Sequence, residues 1–266
     1  MTTNKMPTYF ISHGGGPWPY IPEMAAQFAA TAAWLEKLPQ SLPARPKAIV
    51  SISGHWETPE FAVSTAAQPP MIYDYSGFPP HTYSITYKAP GEPRIARHIK
   101  DLLTAAKISA SEDPTHGFDH GTFVPLYLMY PNADIPVISM SIKSNYNPQD
   151  HYEAGLAMQA LREEGILIIG SGLSYHNMRG FGRPESKGVS QLFGKWLKET
   201  VEESDSDLRK QKLFDWERAP AARHAHPRED HLVPLMVVAG AAGIDKGETV
   251  FTDHVMGVDM ASYRFG

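Results

Sequence analysis

An α/β fold is predicted, a mostly parallel central sheet flanked by helices on both faces. Three observations carry that prediction. Four short apolar runs, rich in β-branched residues, end in glycine, proline or polar residues, the signature of strands covered on both sides. Stretches with helical periodicity lie between these runs. Hydrophobic residues make up 42% of the 266-residue chain and charged residues 20%, enough apolar material to bury a sizeable core.

The elements follow in order. Residues 8–12 (TYFIS) are the first strand, and the alanine-rich segment 23–38 is a helix. Residues 48–53 (AIVSIS) are the second strand. Segment 68–93 carries Pro-Pro twice and many aromatics without helical period, so it reads as a long ordered loop with an extended piece at 82–88. Packing of that loop is the expected role of Tyr73, Tyr75, Phe78 and Tyr83, with walling a ring pocket as the alternative. Residues 93–107 and 148–163 each start at a proline suited to a first helical turn. Between them fall a helical run at 123–130 and a strand at 135–142 (IPVISMSI), and 166–170 (ILIIG) is the fourth strand. Segment 190–216 reads as a charged amphipathic helix with a solvated face. Residues 226–242 form an apolar helix, bent or restarted at Pro234. With no internal repeat or low-complexity linker, one domain over 1–266 is expected.

Composition excludes several classes. The formal charge is −5 and no basic stripe occurs, which argues against nucleic-acid partners. No run approaches the roughly 20 apolar residues of a membrane span. The segment MTTNKMPTYFISHGGG has too short an apolar stretch for a signal peptide. With no cysteine, disulfides, thiolate metal sites and cysteine nucleophiles are ruled out, and a cytoplasmic location is expected. Any metal must be held by nitrogen and oxygen.

Histidine is abundant, at 12 residues. His13, His55 and His176 follow the first, second and fourth predicted strands, and His231 lies at the start of the last helix. Ligands of open parallel sheets gather outside the carboxyl ends of the strands. Four imidazoles delivered there from distant parts of the chain point to one site for a first-row divalent ion, with coordination positions left open. His81, His98, His151 and His254 read as ordinary surface or core-satisfied histidines. His116 and His120 sit four apart in Thr-His-Gly-Phe-Asp-His-Gly-Thr, but Gly117 weakens a paired-ligand reading and no HExxH motif is present. His120 is expected near the substrate as a hydrogen-bond or proton donor, with Asp119 orienting a neighbour; a turn histidine bonded to backbone is the alternative. Asp119, Glu229 and Asp230 are the carboxylates closest in sequence, and one of them could complete a two-histidine, one-carboxylate set in competition with His231.

His13-Gly14-Gly15-Gly16 looks like the oxyanion loop of some esterases, but the Gly-x-Ser-x-Gly elbow is missing: Gly172-Leu-Ser-Tyr-His176 has histidine where glycine is required. Gly14 and Gly15 are instead expected to let the backbone pass close to a ligand. No GxGxxG follows a predicted strand and no Walker sequence occurs, so nucleotides are not implied.

Taken in order, His-Gly at 13, Ser-Gly-His-Trp at 55, Gly-Phe-Asp-His-Gly at 117–121, Tyr-Pro-Asn-Ala-Asp-Ile-Pro-Val at 130–137, His-Asn at 176–177 and Asp-His-Leu-Val-Pro-Leu at 230–235 make a specific set. The chain resembles the class III extradiol ring-cleavage dioxygenases (the LigB-like superfamily), in the single-chain branch of DOPA 4,5-dioxygenase-like proteins. The resemblance runs over nearly the whole chain. It departs from the branch at Gly-Gly-Gly-Pro-Trp after His13 and Ser-Tyr before His176, positions expected to border the pocket.

The resemblance implies a non-haem Fe(II) enzyme that opens a catecholic ring with O₂, its metal at the carboxyl ends of the strands. By position, His13, His55 and His231 would be ligands. His176 would be an acid–base residue, or a fourth ligand when Zn(II) fills the site and leaves it inert toward oxygen. His120 would be a further catalytic residue, and Gly14, Gly15 and Asp119 would border the substrate. The partners implied are a small catecholic molecule and O₂, with neither nucleic acid nor membrane, and with homo-oligomerisation left open. Two other functions use the same histidines: a zinc-dependent hydrolase and a non-catalytic metal-binding protein.

Overall fold

The four apolar runs picked out in the sequence become the parallel middle of the sheet. The structure, a computed structural model, describes residues 5–266; part of the segment weighed as a signal peptide, residues 1–4, lies outside them. Among the described residues the strands are β1 (Thr8–Ser12), β2 (Ala48–Thr58), β3 (Phe61–Ser64), β4 (Ala110–Asp113), β5 (Val137–Lys143), β6 (Ile166–Gly172), β7 (Gly247–Val255) and β8 (Val258–Phe265). They form one sheet in the order β4-β3-β5-β2-β6-β1-β8-β7. β5, β2, β6 and β1 are parallel neighbours. β3 and β8 join this block antiparallel on its two sides, β4 pairs with β3 and β7 closes a hairpin with β8. The flanking strands are the ones periodicity did not single out. β4 is a polar four-residue edge (ASED), and β7 and β8 alternate between buried and exposed positions rather than forming apolar runs.

Helices cover both faces: α1 (Pro22–Gln27), α2 (Ala29–Lys37), α3 (Pro93–Ala105), α4 (His120–Met129), α5 (Pro148–Ala157), α6 (Pro184–Val201), α7 (Ser206–Phe214), α8 (Ala222–Ala225) and α9 (Val233–Ala242). Several boundaries differ from the expected ones, the helix expected at 148–163 ending at Ala157 among them, and three have a clear local cause. The helix at 23–38 is broken at Phe28, whose backbone (φ −101°, ψ 20°) leaves the helical region while its ring is buried. Segment 190–216 belongs to two helices, because Asp205 stops the chain and caps α7 by accepting from the N–H groups of Asp207 and Leu208. The apolar helix begins at Val233, not 226, with Pro234 in its first turn, where a missing N–H costs nothing. Residues between α8 and α9 are therefore loop. The extended piece expected at 82–88 forms no strand. A 3₁₀ turn, Pro80–Ser84, takes its first half, started by Pro79-Pro80 and tied by the Thr82 hydroxyl donating to the Pro79 carbonyl at 2.8 Å.

No helix among the described residues is long and apolar enough to cross a membrane. Beside the last residue of β5, His151 shows how a buried histidine is accommodated. Its Nδ1 donates to the Asn147 carbonyl at 2.7 Å and its Nε2 accepts the Lys143 N–H at 3.0 Å, so only the neutral ring satisfies both bonds. Burial lowers its pKa to about 4. The unfolded chain protonates this ring from about pH 6.5 downward while the folded chain resists to about 4. This ring's own contribution to unfolding free energy is thus expected to be level above pH 6.5 and to fall by on the order of 3 kcal/mol by pH 4. Urea melts against pH read this directly, and His151→Gln should flatten the slope; an unchanged slope would assign the acid lability elsewhere.

Candidate active site

The carboxyl ends of β1, β2 and β6 and the loop ahead of α9 meet at one rim, and each supplies a histidine. His13 follows β1 and is buried; His231 precedes α9 and is buried; His55 is partly covered. His55 lies inside β2 rather than after it, because the strand continues to Thr58 past a register shift against β5. His13 Nε2 is 3.2 Å from His55 Nε2, which is 3.0 Å from His231 Nε2. His55 Nε2 therefore lies beside a ring nitrogen from each of two positions far away in the chain. One ligand atom each of His13, His55 and His120 come within 4.8 Å of one another, and so do those of His176, Asp230 and His231.

What faces their other nitrogens decides the protons. α4 carries Pro125 inside it, and proline has no N–H to give the carbonyl four residues back. That carbonyl, on Gly121, is free to accept from the Ser171 hydroxyl on β6. With its proton committed there, Ser171 Oγ accepts from His13 Nδ1–H at 2.9 Å. His55 Nδ1 lies 3.2 Å from Asp74 Oδ2 and His231 Nδ1 lies 3.0 Å from Asp230 Oδ2, so each Nδ1 faces a carboxylate whose charge favours a proton on that nitrogen. The Nε2 lone pair of His55 then faces those of both His13 and His231, an arrangement that repels unless a cation sits between them. Two nitrogens about 2.1 Å from one ion and at right angles would be about 3.0 Å apart, as observed here. The residues thus fit a divalent first-row ion. Charge agrees: burial first, and then the neighbouring histidines, push His13 and His55 well below the ordinary histidine range. His231 is lowered to about 4 by burial and His176. Neutral rings are the form that binds metal.

Two further histidines flank this point, each steered by an aspartate. His120 opens α4, and its Nδ1 donates to Asp74 Oδ2 at 2.8 Å while its backbone N–H donates to Asp74 Oδ1 at 3.0 Å. The ring centroid of His120 lies 4.0 Å from that of His55. His176, four residues beyond β6, stacks on His231 with centroids 3.5 Å apart, and its Nδ1 is 3.4 Å from Asp230 Oδ1. Burial raises the Asp230 pKa, yet His176 and His231 together hold it far below the usual carboxylate range. Asp74 is likewise lowered, the hydrogen bonds from His120 outweighing its burial. The pairing of His116 with His120 that Gly117 argued against is not formed: His116 stacks flat on Trp56 at 3.6 Å, outside the cluster.

These side chains open into a cavity of about 650 Å³, lined by His13, His55, His120, His176 and His231 and by Gly14, Gly15 and Gly16. Gly14 is held at φ +83°, and a Cβ there would stand 2.5 Å from Trp18 Nε1, the group that donates to the His13 carbonyl at 2.8 Å. Tyr75 and Phe78 of the aromatic loop line the cavity, so part of that loop does wall the pocket, whereas Tyr73 and Tyr83 do not. Asp119 does not reach the cavity. As the N-cap of α4 its carboxylate accepts the Thr122 N–H at 3.0 Å and the Ser53 hydroxyl at 2.8 Å, and burial lifts its pKa to about 6. The cap position turns it inward, away from any substrate. Glu229 is paired with Arg223 at 2.6 Å.

Sequence reasoning missed Asp74, a lone aspartate in an aromatic loop with no spacing to distinguish it. It ties that loop to two histidines at once. Asp74→Asn keeps the shape and removes the charge; it is expected to weaken divalent-metal affinity by roughly 10- to 100-fold. Competition titration against a chelator measures this, and unchanged affinity would leave Asp74 a loop anchor only.

The family model described as the catalytic LigB subunit of aromatic ring-opening dioxygenase matches residues 7–265. A 4,5-DOPA dioxygenase extradiol of Beta vulgaris is 38% identical, covering 98% of this chain and 97% of its own. A protein of the same name from Escherichia coli K12 is 33% identical over 98% and 93%. Among solved structures, an uncharacterized protein, JW3007, of Escherichia coli K12 is similar at TM-score 0.79 and 29% identity, over 98% of this chain and 100% of that one.

Proposed function

The chain belongs to the LigB family and is an extradiol aromatic ring-opening dioxygenase acting on a small molecule with O₂, and we propose that it uses one non-haem Fe(II) ion to open a catecholic ring. The convergence of three Nε2 lone pairs in a cavity flanked by two aspartate-steered histidines carries this reading. His13, His55 and His231 would hold the ion, leaving positions on its cavity side. When bound, Fe(II) supplies a template for both catechol oxygens and redox access to O₂, which Zn(II) in the same ligands does not.

The rest falls to side chains. His176 takes the second catechol proton on the nitrogen facing the cavity, and Asp230 stabilises the resulting imidazolium through Nδ1. The same proton is returned as the ring opens. His120, its Nδ1–H fixed on Asp74, offers Nε2 to a substrate hydroxyl. The glycine loop at 14–16 lets the ring lie close to the backbone, and Tyr75 and Phe78 cover it from water. Loading the full chain with Fe(II) anaerobically and adding oxygen with a catechol panel tests the assignment. Stoichiometric oxygen uptake with a yellow ring-opened product is expected; zinc-supported hydrolysis without oxygen uptake would overturn it.

A further inference from the structure

The cavity is too large and too apolar for one ring with two hydroxyls. Its volume of about 650 Å³ falls in the range that encloses drug-sized ligands, several times what a bare catechol fills. Beyond the histidines, the glycines and three charged residues the wall is mostly thioether and aromatic. Met24, Phe28, Met178, Phe181, Met256 and Met260 all line it, bringing together four of the chain's 11 methionines.

Two of these methionines sit where local rules disfavour them. Met178 is 66% exposed and Met256 is 46% exposed. Met256 also occupies the tip of the β7–β8 hairpin at φ +50°, a left-handed position that glycine or asparagine fills at less cost. The tip is fixed in place, since the Met256 carbonyl accepts the Gly182 N–H at 2.7 Å and joins the hairpin to the loop bearing Met178 and Phe181. Large apolar side chains held open on ordered loops beside a cavity expose surface that a ligand would cover, and methionine adapts to ligands of varied outline.

Charge points the same way. Among the described residues lining the cavity, the charged ones are Glu57, Arg228 and Asp230. Arg228 already binds the Glu57 carboxylate and the Tyr146 hydroxyl and lies 4.8 Å over the Tyr146 ring. Asp230 is committed to His176 and His231. A substrate ammonium or carboxylate would enter without an uncompensated partner, at a desolvation cost that an apolar group avoids.

We infer that the preferred substrate is a catechol bearing a bulky apolar substituent, which lies along the methionine wall formed by Met178, Met256 and Met260. This inference rests on the ring-cleavage reading and specifies its substrate class. The Fe(II)-loaded full chain is assayed with catechol, its 4-methyl, 4-butyl and 4-hexyl derivatives and L-DOPA, and binding of the same compounds is measured anaerobically by calorimetry. Both kcat/KM and affinity are expected to rise roughly threefold for each added methylene, and the hexyl compound should exceed L-DOPA. Met178→Gln and Met256→Asn should each shrink the hexyl-to-methyl ratio several-fold. Asparagine at 256 suits the backbone, so a thermal midpoint at or above that of the parent separates loss of the wall from loss of the fold. A response flat with chain length, a preference for L-DOPA, or variants that keep the parental ratio would overturn the inference. Tail-dependent binding without turnover of any catechol would uphold the apolar wall and overturn ring cleavage.

Discussion

Replacing His55 with alanine is expected to abolish stoichiometric metal binding and to reduce ring-cleaving kcat/KM by at least about 1,000-fold. The effect should be the largest of any single substitution because His55 is the central member of the cluster. Its Nε2 is within 3.2 Å of His13 Nε2 and 3.0 Å of His231 Nε2; without it the remaining pair cannot enclose an ion. The loss also frees one side of Asp74, which steers His120. The side chain is only partly buried, so the fold should survive, and circular dichroism would confirm that. Elemental analysis after dialysis, beside oxygen uptake, checks the outcome. A variant with full metal content would show that the ion lies elsewhere.

His176→Ala separates two roles that proximity alone leaves together. Its ring stacks on His231, but its Nδ1 faces Asp230, the geometry of a steered proton acceptor. The variant is expected to keep most of its metal while kcat falls by about 100- to 10,000-fold, the span of general acid–base catalysis. Added imidazole should restore part of the rate if a proton acceptor is what was removed. Stoichiometric metal loss would instead make His176 a ligand.

Much of this site was legible in the sequence because strand ends are legible. Residues 8–12, 48–53, 135–142 and 166–170 are apolar on both sides, as the middle of a parallel sheet must be, and three of these runs precede a histidine of the cluster. His231 was found for a weaker reason. The sequence places it in the first turns of a helix that starts two residues later, and it reaches the histidine cluster because the loop before Pro234 crosses the strand ends. The partners were hidden. Asp74, Ser171 and Arg228 act through contacts 46, 158 and 171 residues away in the chain, and no local pattern encodes such distances. Asp119 misled for the opposite reason: adjacency to His120 suggested a shared task, whereas an N-cap carboxylate is claimed by its own helix. The edge strands and the hairpin bearing Met256 were passed over because half-exposed alternation is a fainter signal than an unbroken apolar run.

The proline inside α4 shows how a rule for robustness can work against a catalyst. Any stabilisation scheme would nominate Pro125 for alanine, since an interior proline forfeits a rung of the helix ladder. Restoring that rung would engage the Gly121 carbonyl and leave the Ser171 proton free to turn toward His13. The ring's tautomer would no longer be dictated, and a sturdier scaffold would present the proposed metal with an ambiguous imidazole.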